Sequence, residues 1–119
     1  IGNDDQAEVL NIIGDVRGKT AILFDDIIDT GGSLIKIAKV LQDREAKEIY
    51  AACTHGIFSG HAVENIAASP IKKLFVTNTI PLSEEAEKCD KIVQLSLAEM
   101  LAVAIKKVHI EESLSILFR

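Results

Sequence analysis

Ile22-Leu23-Phe24-Asp25-Asp26-Ile27-Ile28-Asp29-Thr30-Gly31-Gly32-Ser33 runs from an apolar stretch through two acids into a turn of small residues, and a helical pattern follows. Ala21 to Phe24 are apolar without a break, which predicts a strand buried on both faces of a parallel sheet. In such a sheet ligands gather beyond the carboxyl ends of the strands. Thr30, Gly31, Gly32 and Ser33 let backbone N–H groups converge there. A helix starting at about Leu34 would point its positive end at the same spot. The turn therefore reads as an anion cradle.

Its acids need a separate reason. Asp25, Asp26 and Asp29 would repel a bare phosphate, and the loop contains no Lys or Arg. A sugar phosphate removes the conflict: carboxylates can accept hydrogen bonds from vicinal hydroxyls, or hold Mg²⁺ through water, while the amides take the phosphate. The stretch matches neither Gly-x-x-x-x-Gly-Lys-Ser/Thr nor Gly-x-Gly-x-x-Gly, so it indicates neither a P-loop nor a dinucleotide fold.

Outward from this stretch, strands and helices alternate. Ala7 to Ile13 reads as a strand and Arg17-Gly18-Lys19 as a turn leading directly into the central strand, so that residues from about Ala7 to Phe24 are expected to form a hairpin-like pair feeding the sheet. A helix over roughly Gly31 to Arg44 places Leu34, Ile35, Ile37, Ala38, Val40 and Leu41 on one broad face. Glu48 to Cys53 is a second buried strand, and Thr54-His55-Gly56-Ile57-Phe58-Ser59-Gly60 the loop at its end. Ser59 is expected to cap a short helix through about Ala67. Lys73 to Thr77 and Lys91 to Leu95 are further strands, separated by a polar helical stretch from Ser83. Ser96-Leu97-Ala98-Glu99 has capping-box spacing, and Leu97, Met100, Leu101, Ala104, Ile105 and Val108 continue as one helical face. Leu114 to Phe118 reads as a last short strand. The prediction is an α/β domain with a mainly parallel sheet flanked by helices.

At 119 residues, 48% of them hydrophobic, the chain is one domain with enough apolar material for a core. A net charge of −5 without a basic cluster argues against nucleic acid, whose phosphates are bound by dense Lys and Arg. No apolar run reaches the length of a membrane span. Cys53 and Cys89, without a signal peptide, suggest a reducing cytoplasm. Ile1 is not a start methionine, so the chain is expected to be part of something longer.

Three strand-end loops bring Asp25, Asp26, Asp29, Thr30, Ser33, Thr54, His55, Thr77, Asn78 and Thr79 to one sheet edge. Ordinary turn chemistry needs one Asp or Gly, whereas three acids followed by Thr-Gly-Gly-Ser go beyond it. His55 is balanced between a ligand contact and a hydrogen bond within its loop. His61 and His109 read as solvated or structural, and the two thiols as buried or incidental. No spacing resembles a zinc site, and Ser33 lacks the nucleophile elbow of a serine hydrolase. A phospho-acceptor receiver domain would also gather acids at strand ends, but it leaves Thr30-Gly31-Gly32-Ser33 unexplained.

Asp25 to Ser33 resembles the phosphoribosyl-diphosphate loop of type I phosphoribosyltransferases and ribose-phosphate diphosphokinases. Thr54 to Gly60, Val76 to Pro81 and Ser113 to Phe118 resemble, in the same order, the C-terminal half of class I ribose-phosphate diphosphokinases. The resemblance covers nearly the whole chain and makes residues 1–119 a single phosphoribosyltransferase-like domain. It implies that Asp25 and Asp26 bind ribose hydroxyls and that Asp29, Thr30, Gly31, Gly32 and Ser33 bind the 5-phosphate of ribose 5-phosphate. It further implies Mg²⁺, a homo-oligomer, and a regulatory anion site involving Ser113, Ser115 and Phe118. ATP would be bound through a missing N-terminal domain. The cationic loop that stabilises the transferring diphosphoryl group would precede or overlap Ile1 to Gln6, where no Lys or Arg occurs. The chain alone is therefore expected to be inactive. A phosphoribosyltransferase and a non-catalytic, synthetase-associated regulatory subunit are the rival readings.

Overall fold

A computed structural model describes residues 13–110. Strands β1 (Thr20–Ile28), β2 (Glu48–Gly56), β3 (Lys73–Thr77) and β4 (Ile92–Leu95) alternate with helices α1 (Gly32–Asp43), α2 (Ala62–Ala67), α3 (Glu84–Glu87) and α4 (Ala98–His109). The strands form one parallel sheet in the order β1-β2-β3-β4, with Leu23 opposite Ala51, Ala51 opposite Leu74 and Leu74 opposite Ile92. The α/β architecture read from the sequence is present.

Spatial order equals chain order, and this decides where the core lies. Right-handed crossovers between successive parallel strands bring their helices onto the same face. Accordingly one cluster joins Leu34, Ile35, Ala38 and Leu41 of α1 with Ile49, Ala51 and Cys53 of β2. Val63 and Ile66 of α2, Leu74 and Val76 of β3, Ala86 of α3 and Ile92 of β4 belong to it as well. The i, i+3, i+4 spacing in α1 puts its apolar stripe on this face, as expected, but Ile37 falls outside it and is exposed.

The opposite face corrects the expectation for β1. Phe24 is 79% exposed and Ile22 56%, so the strand is not buried on both faces. With no reversal of strand order, no described helix crosses to cover them. The same surface continues through Tyr50, Ala52, Phe75, Val93 and Leu95, which share their side of the pleat by register.

Two capping expectations are also corrected, and the partner strand of the expected hairpin-like pair lies outside the described residues. Ser59 does not cap α2, whose N-cap is His61 without a side-chain bond. The capping box before α4 does not form, because Leu97 is the N-cap and Ser96 Oγ instead accepts from Ala98 N at 3.1 Å. The Arg17-Gly18-Lys19 turn packs on the α1–β2 connection, where Arg17 bridges Ala46 and Gly18 N donates to Glu45 O at 2.9 Å. Ser83 does cap α3, accepting from Ala86 N at 3.1 Å.

No residue of α4 is buried, and Leu101, Ile105 and Val108 are exposed along the face predicted for packing. The strands expected at Ala7 to Ile13, apart from Ile13 itself, and at Leu114 to Phe118 lie outside the described residues. No helix among the described residues is long and apolar enough to cross a membrane.

Candidate functional site

β1 carries its acids further along the strand than the sequence pattern indicates, since it continues through Asp25, Asp26 and Ile27 to Ile28. Asp25 Oδ1 accepts from Asp26 N at 2.8 Å, and Asp26 Oδ1 from Ile27 N at 3.0 Å. The Asp25 carboxyl hydrogen-bonded to Asp26, together with these backbone donors, holds the Asp26 carboxyl below its ordinary value. Asp26 is thus an exposed, ionised acceptor at neutral pH.

Beyond Ile28 the chain turns through Asp29 and Thr30 to Gly31, the N-cap of α1, at φ 78° and ψ 4°. That left-handed backbone is why glycine suits position 31. No side chain caps α1. The first intrahelical bond runs from Ile35 N to Gly31 O at 3.0 Å, so the preceding first-turn amides have no helical acceptor.

Asp25, Ile27, Ile28, Asp29, Thr30, Gly31, Gly32, Ser33 and Leu34 enclose a cleft of about 210 Å³. It is smaller than the roughly 300–1,000 Å³ of drug-sized ligand sites, a scale that suits one phosphate with part of its sugar. Of the sequence-predicted acids and small residues, the structure brings Asp25, Asp29, Thr30, Gly31, Gly32 and Ser33 to one cleft. Asp26 sits beside it and does not line it.

The loop after β2 is hydrogen-bonded to the segment that carries this site. Ile57 N donates to Ile28 O at 2.9 Å, Ser59 N to Asp29 O at 3.0 Å, and Ser59 Oγ donates to Asp29 Oδ1. Sequence reasoning missed Ser59 as a site residue. The bond spans thirty positions, beyond the reach of any local pattern.

The remaining polar candidates are tied to one another. β2 is longer than predicted and includes Thr54, His55 and Gly56. His55 Nδ1 lies 2.7 Å from Thr79 Oγ1, and Thr77 Oγ1 donates to Thr54 O at 2.5 Å. Asn78 Oδ1 accepts from Leu97 N at 2.9 Å, which seats the start of α4. His55 therefore ties the end of β2 to the loop after β3. Cys53 is buried in the core, and desolvation pushes its thiol up to about 11, with the charge of Asp25 adding to the effect. Among the described residues no group of three His, Cys, Asp or Glu side chains could hold a metal ion.

Comparison with known proteins bears on this geometry. Residues 3–119 match the family described as the phosphoribosyl synthetase-associated domain. A ribose-phosphate pyrophosphokinase of Bacillus caldolyticus is 54% identical over 112 residues, which are 94% of this chain and 35% of that protein. One from Bordetella pertussis is 51% identical over 94% of this chain and 36% of its own length. The chain spans about a third of the length of these curated relatives. The crystal structure of a phosphoribosylpyrophosphate synthetase from Mycobacterium smegmatis superposes with a TM-score of 0.78 at 38% identity, over 83% of this chain and 33% of that one. The parallel sheet and its helices match that neighbour. With the family matched over nearly its whole length, the chain belongs to the phosphoribosyl synthetase-associated domain family.

Proposed function

We propose that this chain is the C-terminal, ribose 5-phosphate-binding part of a ribose-phosphate diphosphokinase. The observation that carries the reading is the cleft after β1, lined by Asp25 and Asp29 together with the uncapped first turn of α1. Helix amides and their dipole favour the 5-phosphate, and ionised carboxylates accept hydrogen bonds from the ribose hydroxyls. In this reading Asp25 and Asp26 orient the sugar ring. Asp29, Thr30, Gly31, Gly32 and Ser33 hold the phosphate.

The full reaction would be attack of the C1 hydroxyl on the β-phosphorus of ATP, with AMP leaving and phosphoribosyl diphosphate formed. The residues here contribute positioning: they fix the sugar at both ends so that C1 faces the nucleotide. Among the described residues no Lys or Arg lines the cleft, and the cation that stabilises a transferring diphosphoryl group is proposed to come from another part of the parent protein. This part is accordingly proposed not to turn over alone.

Mg²⁺ commonly takes one or two carboxylates together with substrate phosphates. Asp25 and Asp26 fit that outer role, and the ion would offset charge on the phosphate chains. Ser113, Ser115 and Phe118, outside the described residues, are proposed to serve a regulatory anion site in a cytoplasmic homo-oligomer.

A titration with ribose 5-phosphate and with phosphoribosyl diphosphate, with and without Mg²⁺ and followed by amide NMR, tests the reading. Saturable shifts centred on residues 25–33 are expected. A well-dispersed spectrum of the full-length protein that neither sugar phosphate perturbs in this segment would overturn it.

A further inference from the structure

The face of the sheet turned away from α1, α2 and α3 is apolar and, among the described residues, bare. Ile22, Phe24, Tyr50, Phe75, Val93 and Leu95 share it by register, and the Tyr50 and Phe75 rings stack with centroids 6.5 Å apart. Towards the carboxyl end the face is dished. Phe24, Ala52, Phe75 and Leu95 line a cavity of about 230 Å³ there, with Asp25 at its border. Parallel sheets are ordinarily covered on both faces, because the crossovers between their strands carry helices.

A second observation concerns β1. Among the described residues it pairs with β2 alone, so one edge of its nine residues is open. The cleft nevertheless lies at the carboxyl end of this edge strand. In open α/β sheets ligand crevices form where the strand order reverses, whereas from β1 to β4 the order runs one way. The reversal consequently falls at the open edge of β1. Connections that run the other way stay right-handed only with their helices on the opposite face, which is the face of Phe24.

We propose that β1 is an interior strand of the parent protein's sheet. The part that precedes this chain adds further parallel strands along the open edge and lays an amphipathic helix over Ile22, Phe24, Phe75 and Leu95. The inference rests on the reading of the chain as the C-terminal part of a ribose-phosphate diphosphokinase. Length for such a segment exists, since the chain spans about a third of its curated relatives. A second copy fits less well: stacked on the apolar face it would leave the edge of β1 open, and paired along that edge it would leave the face bare. The carboxyl end of the added neighbour of β1 then borders the cleft and completes it.

The full-length protein tests this. In the wild type, hydroxyl radicals should modify Phe24 and Phe75 about tenfold more slowly than in the unfolded protein, and the β1 amides not bonded to β2 should exchange as slowly as those that are. Phe24→Lys should lower the urea midpoint while the oligomeric state, read by light scattering, stays the same. Phe24→Ser is the milder variant should Phe24→Lys fail to fold. Rapid modification of Phe24 in the native wild type, or rapid exchange along one edge of β1, would overturn the proposal. So would a Phe24 variant that keeps its midpoint but forms a smaller oligomer, because the face then belongs to a contact between copies. A covered face in a protein that does not bind ribose 5-phosphate would support the packing and overturn only the reading of the cleft.

Discussion

Gly56 and Phe58 interlock: a Cβ on Gly56 would come within 2.5 Å of Phe58 Cε2 and 2.8 Å of Val76 Cγ2. The end of β2 and the loop beside the acidic turn are therefore one packed unit. Gly56→Ala is expected to destabilise the protein by about 1–3 kcal/mol, as overpacking of a filled interior does. Chemical denaturation checks this. An unchanged midpoint would show that the ring does not sit against Gly56.

Two adjacent glycines should behave differently. Gly31 holds φ 78°, so Gly31→Ala is expected to cost about 1–2 kcal/mol of stability through its backbone. Gly32 has ordinary helical geometry and only Thr30 Oγ1, at 4.0 Å, near a would-be Cβ. Gly32→Val should consequently fold with little loss of stability. Its branched side chain beside the cleft should impair ribose 5-phosphate use more than ATP binding. Thermal melts and separate KM values for the two substrates distinguish the effects, and unchanged kinetics for Gly32→Val would count against the cleft.

The two thiols should separate cleanly. Cys53 is buried with its thiol pushed up to about 11, which leaves about one part in a thousand as thiolate at pH 8. Cys89 is half-buried. Labelling of the native protein with a thiol reagent at pH 8 should modify Cys89 first, and Cys53 only on unfolding. Rapid modification of Cys53 in the folded protein would contradict its position in the core.

Glu48 and Lys72 set a pH window. Lys72 Nζ lies 3.1 Å from Glu48 Oε1, and Tyr50 Oη donates to Glu48 Oε2 at 2.9 Å. The Lys72 bond first, and then that of Tyr50, holds the Glu48 carboxyl below its ordinary 4.5, while Glu48 holds Lys72 above its ordinary 10.5. A lowered carboxyl stabilises above its unfolded value, and that contribution is lost as pH falls through the folded one. A raised ammonium stabilises below its unfolded value, and that contribution is lost as pH rises through the folded one. The contribution of the pair is therefore largest between about pH 4.5 and 10.5. Glu48→Gln should flatten the stability profile at both ends, as measured by urea midpoints across pH. Both groups lie at the surface, so the effect should be small and weakened by salt.

The acidic turn, the parallel strands and α1 were legible because each leaves a local trace: an unbroken apolar run, a left-handed glycine, or a stripe at helical spacing. Ser59 was not. From its own neighbourhood it looks like a helix cap, and only the path of β2 alongside β1 brings it to Asp29. The exposed sides of Ile22 and Phe24 were hidden for a related reason. Apolarity indicates that a side chain can be buried, whereas strand order decides whether a described helix covers it. The capping box at Ser96 did not form: Leu97 is the N-cap, and its amide donates to Asn78 on another strand-end loop at 2.9 Å.

Sequential strand order also bears on how the site comes into being. Each strand pairs with the one before it, through register partners about 18 to 28 positions apart, so every pairing closes a short loop at modest entropic cost. All the parts of the cleft, together with Ser59, lie between Thr20 and Gly60. On a ribosome this segment emerges before β3 and β4 exist. The cradle can begin to assemble at the outer edge of a growing sheet, and the later strands then supply the backing, Val76 among them, that makes it rigid.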